Sequence, residues 1–241
     1  MAQRERVLEA LAAATGERVL DVGSGPGMLA VSIAEAVGPG GRVAGIDVSD
    51  SMIAIARERA DARPEGGAAI EFANAGAESL PYADASFDAA VSTQVLEYVP
   101  DVARALFELC RVLVPGGRVL VLDTDWDSIV LHSSDRARTE RVLKAWEEHL
   151  VHPRLPRELS RMLRTAGFTR PGCEVVPMLT VGYERETYSC GMIELMADFV
   201  AGRDGHTRED ADAWLADLIG LGEDYFFSVN RYLFTAVKPL A

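Results

Sequence analysis

The sequence predicts an α/β fold built on a doubly wound, mostly parallel sheet. Three observations carry this. Residues 18–37 read as an apolar strand, a glycine-rich turn and a helix. Strand-like and helix-like stretches then keep alternating as far as residue 123, the pattern of strand–helix–strand units. Of the 241 residues, 49% are hydrophobic, which supplies a sizeable core for one large α/β domain.

Each element follows from its residues. Arg4–Ala14 places Val7, Leu8 and Leu11 on one helical face and ends at Thr15-Gly16-Glu17. Val19, Leu20 and Val22 make the first strand, which runs into Gly23-Ser24-Gly25-Pro26-Gly27. Met28–Val37 is the next helix, stopped by Gly38-Pro39-Gly40-Gly41. Arg42–Asp47 is the second strand, and Ser49 is placed to cap a helix over Met52–Ala62. A loop at residues 63–67 leads to a short third strand, Ala69–Phe72. Ala89–Ser92 is the fourth strand. Val102–Leu113 is a helix with Leu106, Leu109 and Leu113 inward, ended by Val114-Pro115-Gly116-Gly117. Arg118–Asp123 is the fifth strand, and Asp123-Thr124-Asp125-Trp126-Asp127 is expected to leave it. Helices follow over Asp135–Val151 and Leu155–Thr165, then a strand over Val175–Val181 interrupted by Pro177. Helices over Glu186–Ala201 and Arg208–Leu221 precede a last strand, Tyr225–Val237.

Composition excludes several classes. The net charge is 24 − 37 = −13, which argues against nucleic acid and against an anionic membrane surface. No apolar run approaches the length of a membrane span, and the N-terminus carries no signal core. Cys110, Cys173 and Cys190 lie far apart and read as reduced thiols in a cytoplasmic chain. Asp123, Asp125 and Asp127 alternate without the glycine and distal glutamate of a calcium loop, and no zinc-type ligand set is present, so no metal is expected.

The glycine turn admits two nucleotide readings. The dinucleotide fingerprint places its third glycine three residues after the second, where this chain has Met28. No G-K-[ST] follows, so the turn is not a phosphate-cradling P-loop. Asp21 at the strand's end would repel a pyrophosphate but suits a ligand bearing an ammonium group. Asp47 ends the second strand, 20 residues past Gly27, where a carboxylate can accept hydrogen bonds from ribose hydroxyls. Asp21-Val22-Gly23-Ser24-Gly25-Pro26-Gly27 resembles the first motif of the Rossmann-like, class I S-adenosylmethionine-dependent methyltransferases. Ala77-Glu78-Ser79-Leu80-Pro81-Tyr82, Val95-Leu96-Glu97-Tyr98-Val99 and Leu113-Val114-Pro115-Gly116-Gly117 are similar to later motifs of the ubiquinone/menaquinone-type small-molecule group. The resemblance covers roughly residues 18–123. Gly76 stands where the family carries the acid that contacts the adenine amino group, and Asn74 is the nearby substitute. Tyr98 stands where the family often has His.

The resemblance implies a seven-stranded sheet with strand seven antiparallel, and S-adenosylmethionine as cofactor. It implies cofactor contacts from Asp21, Gly23, Ser24, Gly25 and Gly27, from Asp47, Val48 and Met52, from Ala77 and Glu78, and from Gln94. It implies methyl transfer to a small, largely apolar acceptor. Against that frame, residues 127–152 and 184–222 are expected to be inserts forming a helical cap on a single domain. Tyr98, Trp126 and Tyr183 are expected at strand–loop junctions as acceptor contacts, with Tyr98 and Asp125 as catalytic candidates. Two alternatives stay open. One is an NAD(P)-dependent oxidoreductase. The other is a methyltransferase-like fold that binds the cofactor without methylating.

Overall fold

The computed structural model describes residues 3–64 and 66–240. Of the loop expected at 63–67, Glu65 lies outside them. In chain order the strands are β1 (Arg18–Val22), β2 (Arg42–Asp47), β3 (Ala69–Asn74), β4 (Phe87–Thr93), β5 (Leu113–Leu131), β6 (Thr169–Val181) and β7 (Phe226–Val237). The helices are α1 (Gln3–Leu11), α2 (Met28–Val37), α3 (Asp50–Asp61), α4 (Val102–Val112), α5 (Arg136–Trp146), α6 (Pro156–Thr165), α7 (Tyr188–Val200) and α8 (Arg208–Gly220). Among the described residues the strands form one seven-stranded sheet in the order β3-β2-β1-β4-β5-β7-β6. The first five strands pair in parallel, and β7 is antiparallel, as expected.

The register fixes where a ligand can sit. Val22 pairs with Ile46 on one side and with Ser92 on the other. The ends of β1, β2 and β4 therefore arrive side by side, at the carboxyl edge where open parallel sheets bind ligands.

Two compact units divide the chain. The first comprises the residues up to Asp123, Leu155–Val175 and those from Tyr232 onward; the second comprises Thr124–Arg154 and Val176–Arg231. In the first, Leu20 and Val22 of β1 pack with Leu106 and Leu109 of α4 and Leu159 and Leu163 of α6. Arg18 meets Asp88 at 2.9 Å, and Arg118 meets Glu17 at 2.6 Å while donating to the Leu11 and Ala12 carbonyls. The first pair joins β1 to β4, and the Arg118 bonds fix the end of α1 against the start of the sheet. Glu108 of α4 is buried. It accepts the Leu80 N–H at 3.0 Å and binds Arg111, and so anchors the loop after β3.

The second unit has its own core. Trp126, Trp146, Trp214, Tyr225 and Phe227 are buried there with Ile193, Met196 and Leu218. The Trp214 indole N–H donates to Thr139 Oγ1 at 3.1 Å, and Trp126 meets Trp146 edge to face.

Two strand expectations are corrected. β5 does not end at Asp123 but runs unbroken to Leu131, so Asp125 and Trp126 lie within a strand and are buried. Neither residue sits at a strand–loop junction. β6 begins at Thr169 and passes through Pro177 without a break. As the outer strand of the sheet it has one unpaired edge, where a residue lacking an N–H is tolerated.

The Glu108 anchor predicts a stability cost. Glu108→Ala leaves the Leu80 N–H buried without its acceptor and is expected to destabilise the protein by about 1–3 kcal/mol in urea unfolding. A midpoint identical to that of the parent chain would show that water replaces the carboxylate.

Candidate functional site

The site is built at the ends of β1, β2, β3 and β4, all in the first unit. The turn after β1 is held to β2, since the N–H groups of Gly23 and Ser24 both donate to the Ile46 carbonyl at 2.8 Å. Its glycines differ in purpose. Gly23 has φ 71°, and a Cβ there would lie 2.1 Å from the Val95 side chain. Gly27 has φ 77°, and a Cβ would lie 3.0 Å from Ala56 of α3 and from Phe72 of β3. Both backbone positions exclude a side chain through conformation and through space. At Gly25 a Cβ would meet nothing, so the bare backbone faces open space.

Asp47 ties the site together. One carboxylate oxygen accepts the Gly25 N–H at 2.9 Å and the other accepts the Ser49 N–H at 2.9 Å. Each oxygen keeps a second acceptor position for a ligand. Ser49 caps α3, which begins two residues before the expected start, by accepting the Met52 N–H.

The loop after β3 forms a second wall. The Ala75 N–H donates to the Asp47 carbonyl, and Glu78 accepts the Asp101 N–H at 2.9 Å. The third wall follows β4. Gln94 takes the left-handed conformation, with φ 58°, and its N–H donates to the Leu122 carbonyl at 2.7 Å. The buried Asp123 carboxylate accepts the Val95 N–H at 3.1 Å and so holds the side chain that fills the space under Gly23.

These walls enclose a cleft of about 530 Å3, within the usual size of small-molecule sites. Of the expected residues, Gly23, Gly25, Asp47, Val48, Ala77, Glu78, Gln94 and Tyr98 line it. A second cleft of about 300 Å3 shares Gly23 and Gly25 with the first and adds Ser24, Arg4 and Thr93. Ser24 Oγ is buried there without a hydrogen bond.

Other expected residues lie elsewhere. Gly27 packs inward against α3, and Met52 is exposed on α3. Asp125 accepts the Asp127 N–H within β5, and Trp126 stacks in the second core. Tyr183 does follow a strand end, and its ring packs edge to face on Tyr225 at 5.7 Å. Asn74 donates its amide to the Val48 carbonyl and to Asp50, so that nitrogen is committed to the loop between β2 and α3. Sequence reasoning missed Val99 and Pro100, which line the cleft beside Tyr98. Their only signal is the short turn after the fourth strand.

Asp21 stands apart. It is 1% exposed, and neither carboxylate oxygen makes a hydrogen bond of ordinary geometry. It lines neither cleft. Burial pushes its carboxyl up to about 7; the Ala30 N–H of α2 pulls it down, and the Asp47 carboxylate raises it further.

Among the described residues there is no group of three or more His, Cys, Asp or Glu that could hold a metal ion. No helix among them is long and apolar enough to cross a membrane.

Comparison with known proteins adds likeness in sequence to this geometry. Residues 20–121 match the family model described as a methyltransferase domain. The chain is 40% identical over 179 residues to an uncharacterized 37.1 kDa protein in transposon TN4556 of Streptomyces fradiae, covering 73% of this chain and 49% of that protein. It is 44% identical over 106 residues to the ubiquinone/menaquinone biosynthesis C-methyltransferase of Methylobacterium nodulans, covering 44% of this chain and 41% of that enzyme. The chain spans about half the length of these curated relatives. Among solved structures, the 4+2 cyclase SpnF matches with a TM-score of 0.61 and 27% identity, over 99% of this chain and 81% of that one.

The buried Asp21 carboxyl predicts a pH dependence. A carboxyl raised in the fold stabilises it while protonated. That contribution is complete below the unfolded value, near pH 4, and is lost as pH rises through about 7. Asp21→Asn is therefore expected to gain stability over the parent chain at pH 8 by on the order of 3 kcal/mol, and to gain little at pH 4. Parallel stability curves for the two proteins from pH 4 to 8, measured by urea unfolding without ligand, would refute the shift.

Proposed function

We propose that the protein, whose residues 20–121 match the model of a methyltransferase domain, is a class I S-adenosylmethionine-dependent methyltransferase that transfers a methyl group from S-adenosylmethionine to a small, largely apolar acceptor. The observation that carries this reading is the Asp47 carboxylate. It is bonded to the Gly25 N–H beside a bare glycine backbone, on the cleft at the end of β2. That arrangement fits an adenosine. Asp47 keeps acceptor capacity for ribose hydroxyls, Gly25 permits close approach, and Ile46, Ala77 and Val99 give apolar walls for a flat ring.

When bound, S-adenosylmethionine supplies an electrophilic methyl group on a sulfonium, open to in-line displacement. The protein's part is to position the reactants and keep water away. Gly23 and Gly25 admit the ligand to the backbone, and the fixed backbone at Gln94 and Val95 holds the wall after β4. Tyr98, partly exposed on the same cleft, is the residue we assign to the acceptor. Tyr183 and the cap expected from residues 127–152 and 184–222 remain part of this proposal.

A second reading has one observation in its favour. The likeness to a 4+2 cyclase, at 27% identity, supports a protein of this fold that catalyses a reaction other than methyl transfer. Methyl transfer is preferred because the matched family model covers every residue assigned above to the cofactor cleft.

Calorimetry tests cofactor choice. S-adenosylhomocysteine is expected to bind in the micromolar range, with NADH giving no heat. Asp47→Ala should weaken the former by about 1–3 kcal/mol. NADH binding with no response to S-adenosylhomocysteine would sink the proposal.

Gly76 offers a gain-of-function test. Its backbone is not left-handed, and a Cβ would lie 3.9 Å from Val48, an ordinary contact. Gly76→Asp restores the acid implied by the family resemblance and should tighten S-adenosylhomocysteine binding about three- to tenfold. Unchanged affinity in a folded variant would place the adenine away from this loop.

A further inference from the structure

The second cleft, of about 300 Å3, is lined by α1 as well as by the glycine turn, and it gathers polar groups that lack partners among the described residues. Ser24 is 7% exposed, and its hydroxyl is shielded from solvent without a hydrogen bond. Gln3 of α1 lines the same cleft, and its side-chain carbonyl oxygen is likewise buried and accepts nothing. Arg4, the next residue of α1, forms no ion pair with any described acid. Its guanidinium meets only the Met28 sulfur, at 3.9 Å. Buried polar atoms left in this state are costly unless a ligand or water completes them.

The backbone adds to this set. Met28 and Leu29, the first residues of the ten-residue helix α2, also line the cleft. The N-cap is Gly27, which offers no side chain, and the first turn carries no acid. The leading N–H groups and the positive end of the helix dipole therefore face the cleft without a negative group of their own. The donors are thus a cation, a hydroxyl and helix N–H groups, and the acceptor is the Gln3 oxygen. A phosphate or a simple carboxylate would satisfy the donors and leave that oxygen without a partner. An α-amino acid satisfies both, since it carries an ammonium beside its carboxylate. The cleft shares Gly23 and Gly25 with the one assigned above to adenosine, so a ligand can continue from one into the other past bare backbone.

We propose that Arg4 of α1, with the Ser24 hydroxyl, selects the cofactor by its carboxylate, and that the Gln3 oxygen receives its ammonium. Arg presents paired donors that match a carboxylate, and helix N-termini accept the same group. Gln3 and Arg4 lie outside the matched residues 20–121, so a helix beyond that domain model completes the cofactor site. The assignment rests on the S-adenosylmethionine reading and deepens it, because it names what makes the protein prefer an intact amino-acid end to a truncated one.

The test uses the full chain and two probes in calorimetry, S-adenosylhomocysteine and its decarboxylated analogue, which keeps the ammonium. The parent protein is expected to bind the first at least about tenfold more tightly, the charge-assisted bonds to the carboxylate being the difference. Arg4→Met should bring the two ligands to within about threefold of each other by weakening only S-adenosylhomocysteine. Arg4→Lys should keep part of the preference. Arg4 is exposed, and far-UV circular dichroism checks that the variants fold. The assignment is overturned, with the methyl-transfer reading left standing, if the parent binds both ligands equally. The same holds if Arg4→Met keeps the full preference or weakens both ligands alike. A parent protein that binds neither ligand would sink the cofactor reading and this assignment together. Should the Met variant fail to fold, the ratio of the two affinities on the parent and on Arg4→Lys decides the matter: a smaller ratio in the Lys variant supports the assignment and an equal one overturns it.

Discussion

The Asp47 carboxylate, held between the Gly25 and Ser49 N–H groups, is the interaction on which the candidate site depends. Parallel pairing brings the ends of β1 and β2 to one level, but it does not fix the turn that follows β1. That turn has three glycines in the left-handed region and little side-chain packing of its own. Asp47 supplies the missing restraint from the neighbouring strand, and the Ile46 carbonyl supplies another by accepting two N–H groups. The glycine turn, the start of α3 and the loop at Ala75 are thereby referred to one residue. A ligand that hydrogen-bonds to Asp47 would meet a carboxylate whose position is already fixed, so little ordering cost falls on binding.

The third wall shows the same logic with different parts. Gln94 is in a conformation that favours glycine, and the hydrogen bond its N–H donates to the Leu122 carbonyl, together with the one the Val95 N–H donates to Asp123, holds it there. Strain of this sort persists only where the surroundings over-determine the backbone. Asp123 is therefore a positioning residue. It aims Val95 at the space that Gly23 leaves empty, which makes the glycine and the valine a matched pair.

Much of this was legible in the sequence because the signals were local. Glycines that must turn left, an acid at a strand end and a proline–glycine stop each report on their own backbone, and the first four strands begin and end close to where those signals put them. β5 escaped because Asp123-Thr124-Asp125-Trp126-Asp127 has the polarity of a loop. Its acids are satisfied in the strand by the N–H groups of Val95 and Asp127, a tertiary arrangement that propensity does not encode. The charge of Asp21 predicts a ligand contact; in the structure its carboxyl is buried behind the cleft that Val22 lines, close enough to Asp47 to feel its carboxylate.

The two units answer to different constraints. Residues 20–121, which match the methyltransferase model, all lie in the first, and the cleft there is specified by backbone geometry: dihedral angles, carbonyls and N–H groups. Such a site leaves little room for side chains at Gly23 and Gly27, where conformation and space both exclude them. The second unit is specified by side chains, chiefly three tryptophans around a core with its own hydrogen bond from Trp214 to Thr139. A side-chain core can be repacked with other residues of similar volume.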